Sequence, residues 1–268
     1  MVKALSIAGL LAFGGSAHAW VEGPHGVPDY SAHTMADGEI RLSLFRSGYA
    51  FTDWLQVETL PLLWAVRVTN FDFKASYPVS DTWTLSANLG LLAWNLANMP
   101  GASKDAADVR LNGLPVQARS TWVLGDWGLT AGLAYTGIKV SGDADADAAD
   151  LDATAAISTS QLTGAAEWRT SRSFALVLEG RLMIWEDLRA DAVTTTDIDD
   201  DTVLVLHGDT QVDLQQPVRG NATLSAMWSY ETFNLRLGLG YGHYSLPVFS
   251  TFLTQATVVP EFAMYWRF

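Results

Sequence analysis

Along most of this chain from residue 38 onward one pattern recurs in segment after segment: apolar and polar residues alternate one by one. The stretch "NFDFKASY" sets Phe71, Phe73, Ala75 and Tyr77 against Asn70, Asp72, Lys74 and Ser76. In "TWTLSANLGLL", Trp83, Leu85, Ala87, Leu89 and Leu91 oppose Thr82, Thr84, Ser86, Asn88 and Gly90. A period of two belongs to a β-strand with one apolar face. Eleven segments read this way: 38–47, 53–60, 65–78, 81–95, 115–124, 127–140, 158–170, 173–188, 214–230, 233–246 and 257–268.

The apolar faces need somewhere to go. The chain is 49% hydrophobic with 11 Trp, so it must bury this surface or show it to lipid. Beyond residue 20 no apolar run approaches the ~18 residues of a transmembrane helix, whereas several strands reach the ~10 residues that cross a bilayer at a tilt. A soluble sandwich is the competing reading. Its water-facing side would be rich in charge, and here that side is Ser, Thr, Gly, Asn and isolated charges, which suits an enclosed lumen. Connections alternate between tight turns ("YPVSDTW", "LGDWG", "RTSRSF", "SYETF") and long links at 96–114, 141–157, 189–213 and 247–256. Short turns at one end and long loops at the other are the habit of membrane barrels. The expected fold is therefore all-β, a transmembrane antiparallel up-and-down barrel over residues 38–268. Eleven strands are odd, and such barrels are even. Twelve are expected, with ten next, the missing strand lying within 20–37 or around "TVLVLHGDTQV".

The N-terminus reads as an export signal. Lys3 precedes an apolar run from Ala4 to Phe13, and Ala17 and Ala19 form an Ala-x-Ala cleavage site, giving residues 1–19 as signal peptide. Residues 20–37 are punctuated by Pro and Gly and read as irregular, lying in the periplasm or tucked into the lumen. A net charge of −13 argues against nucleic acid. With no cysteine, neither disulfides nor thiolate metal sites are available. No cofactor is indicated.

The last strand, "VVPEFAMYWRF", aligns Phe262, Met264, Trp266 and Phe268 on one face and Glu261, Ala263, Tyr265 and Arg267 on the other. This ending resembles that of Gram-negative outer-membrane β-barrel proteins. Their assembly signal has a polar residue, a glycine two later, then an aromatic and a final apolar residue at alternate positions. Glu261, Trp266 and Phe268 fit it, and Ala263 stands at the usual glycine. "SGYAFTDWLQVE" is also similar to a turn of several uncharacterised barrels and aromatic-compound uptake channels. The resemblance implies outer-membrane localisation, contact with outer-membrane lipids and lipopolysaccharide, and insertion by the machinery that reads terminal aromatic strands.

The polar faces carry Glu39, Arg41, Glu58, Asp72, Lys74, Arg119, Glu167, Arg169, Glu179, Arg181, Arg236, Glu261 and Arg267, the lumen-lining candidates. Opposed charges along a pore set selectivity, and paired across a narrow interior they seal it. Gly90, Gly132, Gly238 and Gly240 beside them suggest open space. The expected role is a passive channel for small polar or amphipathic solutes, and the alternative is a non-conducting surface barrel. The acidic links place Asp143, Asp145, Asp147, Asp150 and Asp152, then Asp197, Asp199, Asp200 and Asp201, at spacings where carboxylates can share a hard cation. They lack an EF-hand's glycine and terminal glutamate, so solvated loops are the plainer reading. A lipid-modifying enzyme would need a base and a nucleophile close together. His207 with Asp209, and His243 beside Tyr244, match no such motif, and no catalytic residue is assigned.

Overall fold

The computed structural model describes residues 30–95, 108–146, 149–199, 202–212, 219–230, 232–243 and 256–268. Their strands form one antiparallel sheet: β1 (Ile40–Leu42), β2 (Ser47–Thr52), β3 (Leu55–Thr59), β4 (Thr69–Ser80), β5 (Trp83–Asn95), β6 (Asp108–Leu124), β7 (Trp127–Ala146), β8 (Ala149–Ser171), β9 (Phe174–Asp199), β10 (Thr202–Val212), β11 (Gly220–Ser229), β12 (Phe233–Gly242) and β13 (Thr257–Arg267). A five-residue helix, α1 (Pro61–Ala65), lies between β3 and β4. The sheet closes on itself, because β8 pairs with β9 and β1 pairs with β13. Of the 13 strands, 12 make the ring. The remaining one, β10, pairs with the far half of β9 while β11 pairs with its near half. Both run along the same edge of β9, as two lengths of one wall position.

The even count was expected, but the missing strand was sought in the wrong places. It is β2. In "RLSLFRSGYAFT" the turn residues Ser43–Arg46 include no Gly or Pro, so the pattern of one strand continues to Ser47 although the chain reverses at Ser43–Arg46. Ser43 and Ser47 make that turn themselves: Ser43 N donates to Ser47 Oγ at 3.0 Å, and Ser47 Oγ donates to Ser43 O at 2.8 Å. The segment "TVLVLHGDTQV" is a strand, yet it adds nothing to the ring. Residues 65–68, read as strand, instead leave α1 through a turn. Asn70 holds this turn by accepting from Leu60 N at 2.6 Å and donating to Leu60 O at 3.2 Å.

Two acidic links also prove to be wall. β7 and β8 stay in register up to Ala146 and Ala149, and β9 runs on to Asp199. A protruding ribbon needs no apolar face, since its backbone groups are satisfied across the ladder whatever the side chains. Thr-rich sequence favours it.

On the outside, apolar residues stay exposed: Leu89, Leu91, Leu133, Leu162, Leu178, Leu224, Leu239 and Phe262 are each 47–60% accessible. Aromatic pairs mark the short-turn end. Trp83 stacks on Trp122 at 6.4 Å, Trp127 on Trp168 at 5.8 Å, and Phe233 meets both Tyr230 and Trp266. Tyr135, Trp185 and Tyr241 stand exposed on the outer face further up. On β7, Trp127 and Tyr135 are eight residues apart. At ~3.4 Å per residue and ~40° of tilt that is about 20 Å of height, close to the ~25 Å apolar band of a membrane barrel.

Candidate functional site: the lumen

Inward-facing residues of the lower wall are buried, not solvated. Arg41 and Glu58 are each 3% accessible, Lys74 1%, Glu167 2% and Arg236 4%. The reason is that residues 30–35 enter the barrel at the short-turn end, and all of them are buried.

The contacts to this segment come from several strands around the ring. On β4, Lys74 Nζ donates to Ser31 O at 2.9 Å and also to His33 O. On β6, Arg119 donates to Ser31 O at 3.3 Å, and Thr121 Oγ1 accepts from Ala32 N at 2.7 Å. On β3, Gln56 Oε1 accepts from Met35 N at 2.7 Å. Tyr30 donates its hydroxyl to Glu167 of β8 at 2.8 Å, while its ring packs with Ala175, Val177, Met227 and Tyr265. The β2–β3 turn completes the seat, since Thr34 Oγ1 donates to Asp53 O and Asp53 Oδ1 accepts from Asp37 N at 2.8 Å. An extended segment leaves its backbone groups unpaired, and here wall side chains satisfy them.

Most of the remaining candidates pair with one another. Glu39 bridges Arg267 through two hydrogen bonds, one of 2.8 Å. Arg41 lies 3.8 Å from Glu58 and 4.0 Å above the Tyr265 ring, and Arg46 approaches the same carboxylate at 3.6 Å. Arg236 contacts Glu179 and, at 3.1 Å, Glu261. Arg169 meets Glu167 at 2.6 Å, and Asp72 accepts from Asn88 at 3.3 Å. Arg181, higher on β9, is exposed. At three of the glycines the neighbouring strands already fill the space a side chain would take. A Cβ at Gly132 would lie 2.7 Å from Thr163 Oγ1, and one at Gly238 2.7 Å from Ser225 Cβ. At Gly90 the Pro115 ring occupies the space.

Above the segment the lining changes. Val68, Leu111 and Ile138 are buried on the inner face, with Leu92 and Trp94 on the same side of β5.

No family model matches the chain, and no curated protein does. Among solved structures it is similar to the translocator domain of autotransporter NalP from Neisseria meningitidis (13% identity, 85% of this chain and 84% of that one, TM-score 0.35). It is also similar to the ferric yersiniabactin uptake receptor FyuA from Yersinia pestis (11% identity, 87% and 47%, TM-score 0.39) and to BamA from Haemophilus ducreyi lacking POTRA domains 1-3 (9%, 86% and 69%, TM-score 0.27). At such scores the weight rests on the chain's own geometry: a closed 12-strand ring, an exposed apolar band between aromatic rows, and a polar interior. The fold is that of an outer-membrane β-barrel.

Within this outer-membrane barrel the other candidates fall as follows. Residues 1–29, Asp147, Asp200, Asp201 and Tyr244 lie outside the described residues. Backbone register sets Asp143 opposite Asp152 and Asp145 opposite Asp150. Asp197 and Asp199 are near the end of β9, and His207 and Asp209 are on β10. His243 directly follows β12, its N–H donating to Gly220 O at 2.8 Å. Sequence reasoning missed Tyr30, Ser31, Thr34, Gln56 and Thr121 as lumen residues, because seating depends on contacts 19–137 residues away along the chain.

Proposed function

We propose that the protein is a channel for small polar or amphipathic solutes that its own N-terminal segment stoppers at the short-turn end. The observation that carries this reading is the burial of residues 30–35 in the lumen, held mainly by side chains and not by strand pairing. A segment attached in this way can leave without opening the barrel's ladder. The mouth above it combines the exposed Arg181 with the inward Leu111, Ile138 and Trp94, a lining suited to a solute with one charged and one apolar end. The buried ion pairs of the lower lumen favour the second reading, a permanently closed surface barrel.

Planar-bilayer recording separates the two. The wild type is expected to be silent or to open briefly, and Lys74→Met with Thr121→Val to give sustained steps. A steady large conductance in the wild type would defeat the stopper. Silence in both proteins would leave the closed barrel as the function.

A further inference from the structure

The outer wall carries a feature that passage through the lumen does not use. Above the upper aromatic row, β6, β7 and β9 turn three cations outward: Arg110, Lys139 and Arg189. Their direction follows from the ladder. Lys139 shares its face of β7 with Tyr135, and Arg189 shares its face of β9 with Trp185, both exposed aromatics. Lys139 and Arg189 each stand four residues beyond that aromatic. Lys139 is in register with Ala156, and Ala156 with Arg189, so the two are separated by one strand of small side chain. Neighbouring strands are ~4.8 Å apart, which places them about 10 Å from each other. Arg110 is in register with Ser141, two residues above Lys139. Arg189 donates to Asp187 at 2.9 Å yet is 68% exposed, and a guanidinium has further donors.

Directly below lies a groove in the same outer wall. Leu91, Leu114, Gly137 and Ser158 line it, with Asn112, Lys139 and Ala156 one step higher at its upper edge. It exists because Gly137 has no side chain and Tyr135 leans over the vacancy, its hydroxyl 3.3 Å from Ser158 Oγ. An apolar channel facing hydrocarbon and capped by cations at headgroup level has one fitting occupant. The long-loop end of such barrels faces the outer leaflet. We infer that this wall binds a phosphorylated outer-leaflet lipid, with acyl chain in the Leu91–Leu114–Gly137 groove and phosphate on Lys139, Arg189 and Arg110. The chain's overall charge of −13 sharpens the point, since a general attraction to anionic lipid is absent and binding must come from this local cluster.

Native mass spectrometry of the purified protein in detergent, titrated with lipid A, tests the site. Lys139→Gln with Arg189→Gln is expected to weaken binding about tenfold, since each cation near an anionic lipid surface counts separately. Gly137→Leu, which fills the groove and keeps the charges, should weaken it as well. Lipid A stripped of its phosphates should bind the wild type no better than intact lipid A binds the double variant. Millimolar inorganic phosphate should displace nothing. Retained folding is read from heat-modifiable gel migration. Unchanged affinity in the double variant would overturn the site, as would displacement by inorganic phosphate alone. An equal loss in Arg172→Gln, at the opposite end of the barrel, would show micelle-wide electrostatics instead.

Discussion

Glu39 and Arg267 join the first and last strands of the ring through a two-pronged ion pair at a seam only three residues deep in β1. Glu39 Oε2 also accepts from Ala36 N at 2.9 Å, so one carboxylate ties the seam to the entering segment. Removing one partner of a buried pair costs about 3–5 kcal/mol, because the other charge is left without compensation. Glu39→Ala is expected to lower the unfolding free energy, read from urea titration of the folded protein in detergent, by that order. Glu39→Leu with Arg267→Met should recover much of the loss. A double variant no more stable than the single would mean that the seam depends on the pair itself.

Lys74 is the principal hold on residues 31–33. Its ammonium serves two backbone carbonyls from a site 1% accessible. Hydrogen bonds to a charged group contribute about 1.5–3 kcal/mol each. In Lys74→Met, amide hydrogen exchange across 30–36 should accelerate about a hundredfold, while β5–β8 keep their protection. Acceleration spread evenly over the wall would point to a role in the barrel as a whole.

The wall was legible in the sequence because its physics is local. Alternation such as Phe71–Tyr77 depends only on which face meets lipid, and the terminal Phe262–Phe268 stripe needed no partner to be read. Two kinds of information were not local. The reversal at Ser43–Arg46 is set by two serine side chains folding back on their own backbone, inside a turn that carries no Gly or Pro of its own. The contents of the lumen depend on volumes contributed by facing strands. Gly132 reads as empty space in one strand, and Thr163, Ala118 and Arg119 from its neighbours fill it. The pairing of Lys74, Arg119 and Glu167 with the N-terminal segment could not be read from spacing.

Close packing at that glycine is itself testable. A Cβ on residue 132 would sit 2.8 Å from the Ala118 carbonyl, a backbone atom that cannot yield. Gly132→Ala should therefore destabilise by about 1–3 kcal/mol, the usual cost of overpacking. Gly164→Ala is the control: its nearest neighbour is 3.6 Å away, and a change within about 0.5 kcal/mol is expected. Equal urea midpoints for the two variants would show that the lumen is looser than its contacts indicate.

The chain's final residue closes the ring. Phe268 N donates to Ile40 O at 3.0 Å, and Ile40 N donates to Phe268 O at 3.0 Å, next to the Arg41–Arg267 register. Without Phe268 this reciprocal pair is gone, and β1 has only two further register partners on β13. Phe268 is therefore the last rung of the closed barrel, and the resemblance of this strand to an assembly signal gives it a second expected role, in insertion. Deleting it should reduce the amount in outer-membrane fractions severalfold and lower the heat needed to unfold what does insert. Phe268→Leu separates the two roles, since it keeps both backbone hydrogen bonds and removes only the ring. A Leu variant that inserts poorly but unfolds like wild type would assign the aromatic ring to assembly and the backbone to closure. Normal membrane levels of the deletion, measured on immunoblots of fractionated cells, would refute the assembly role.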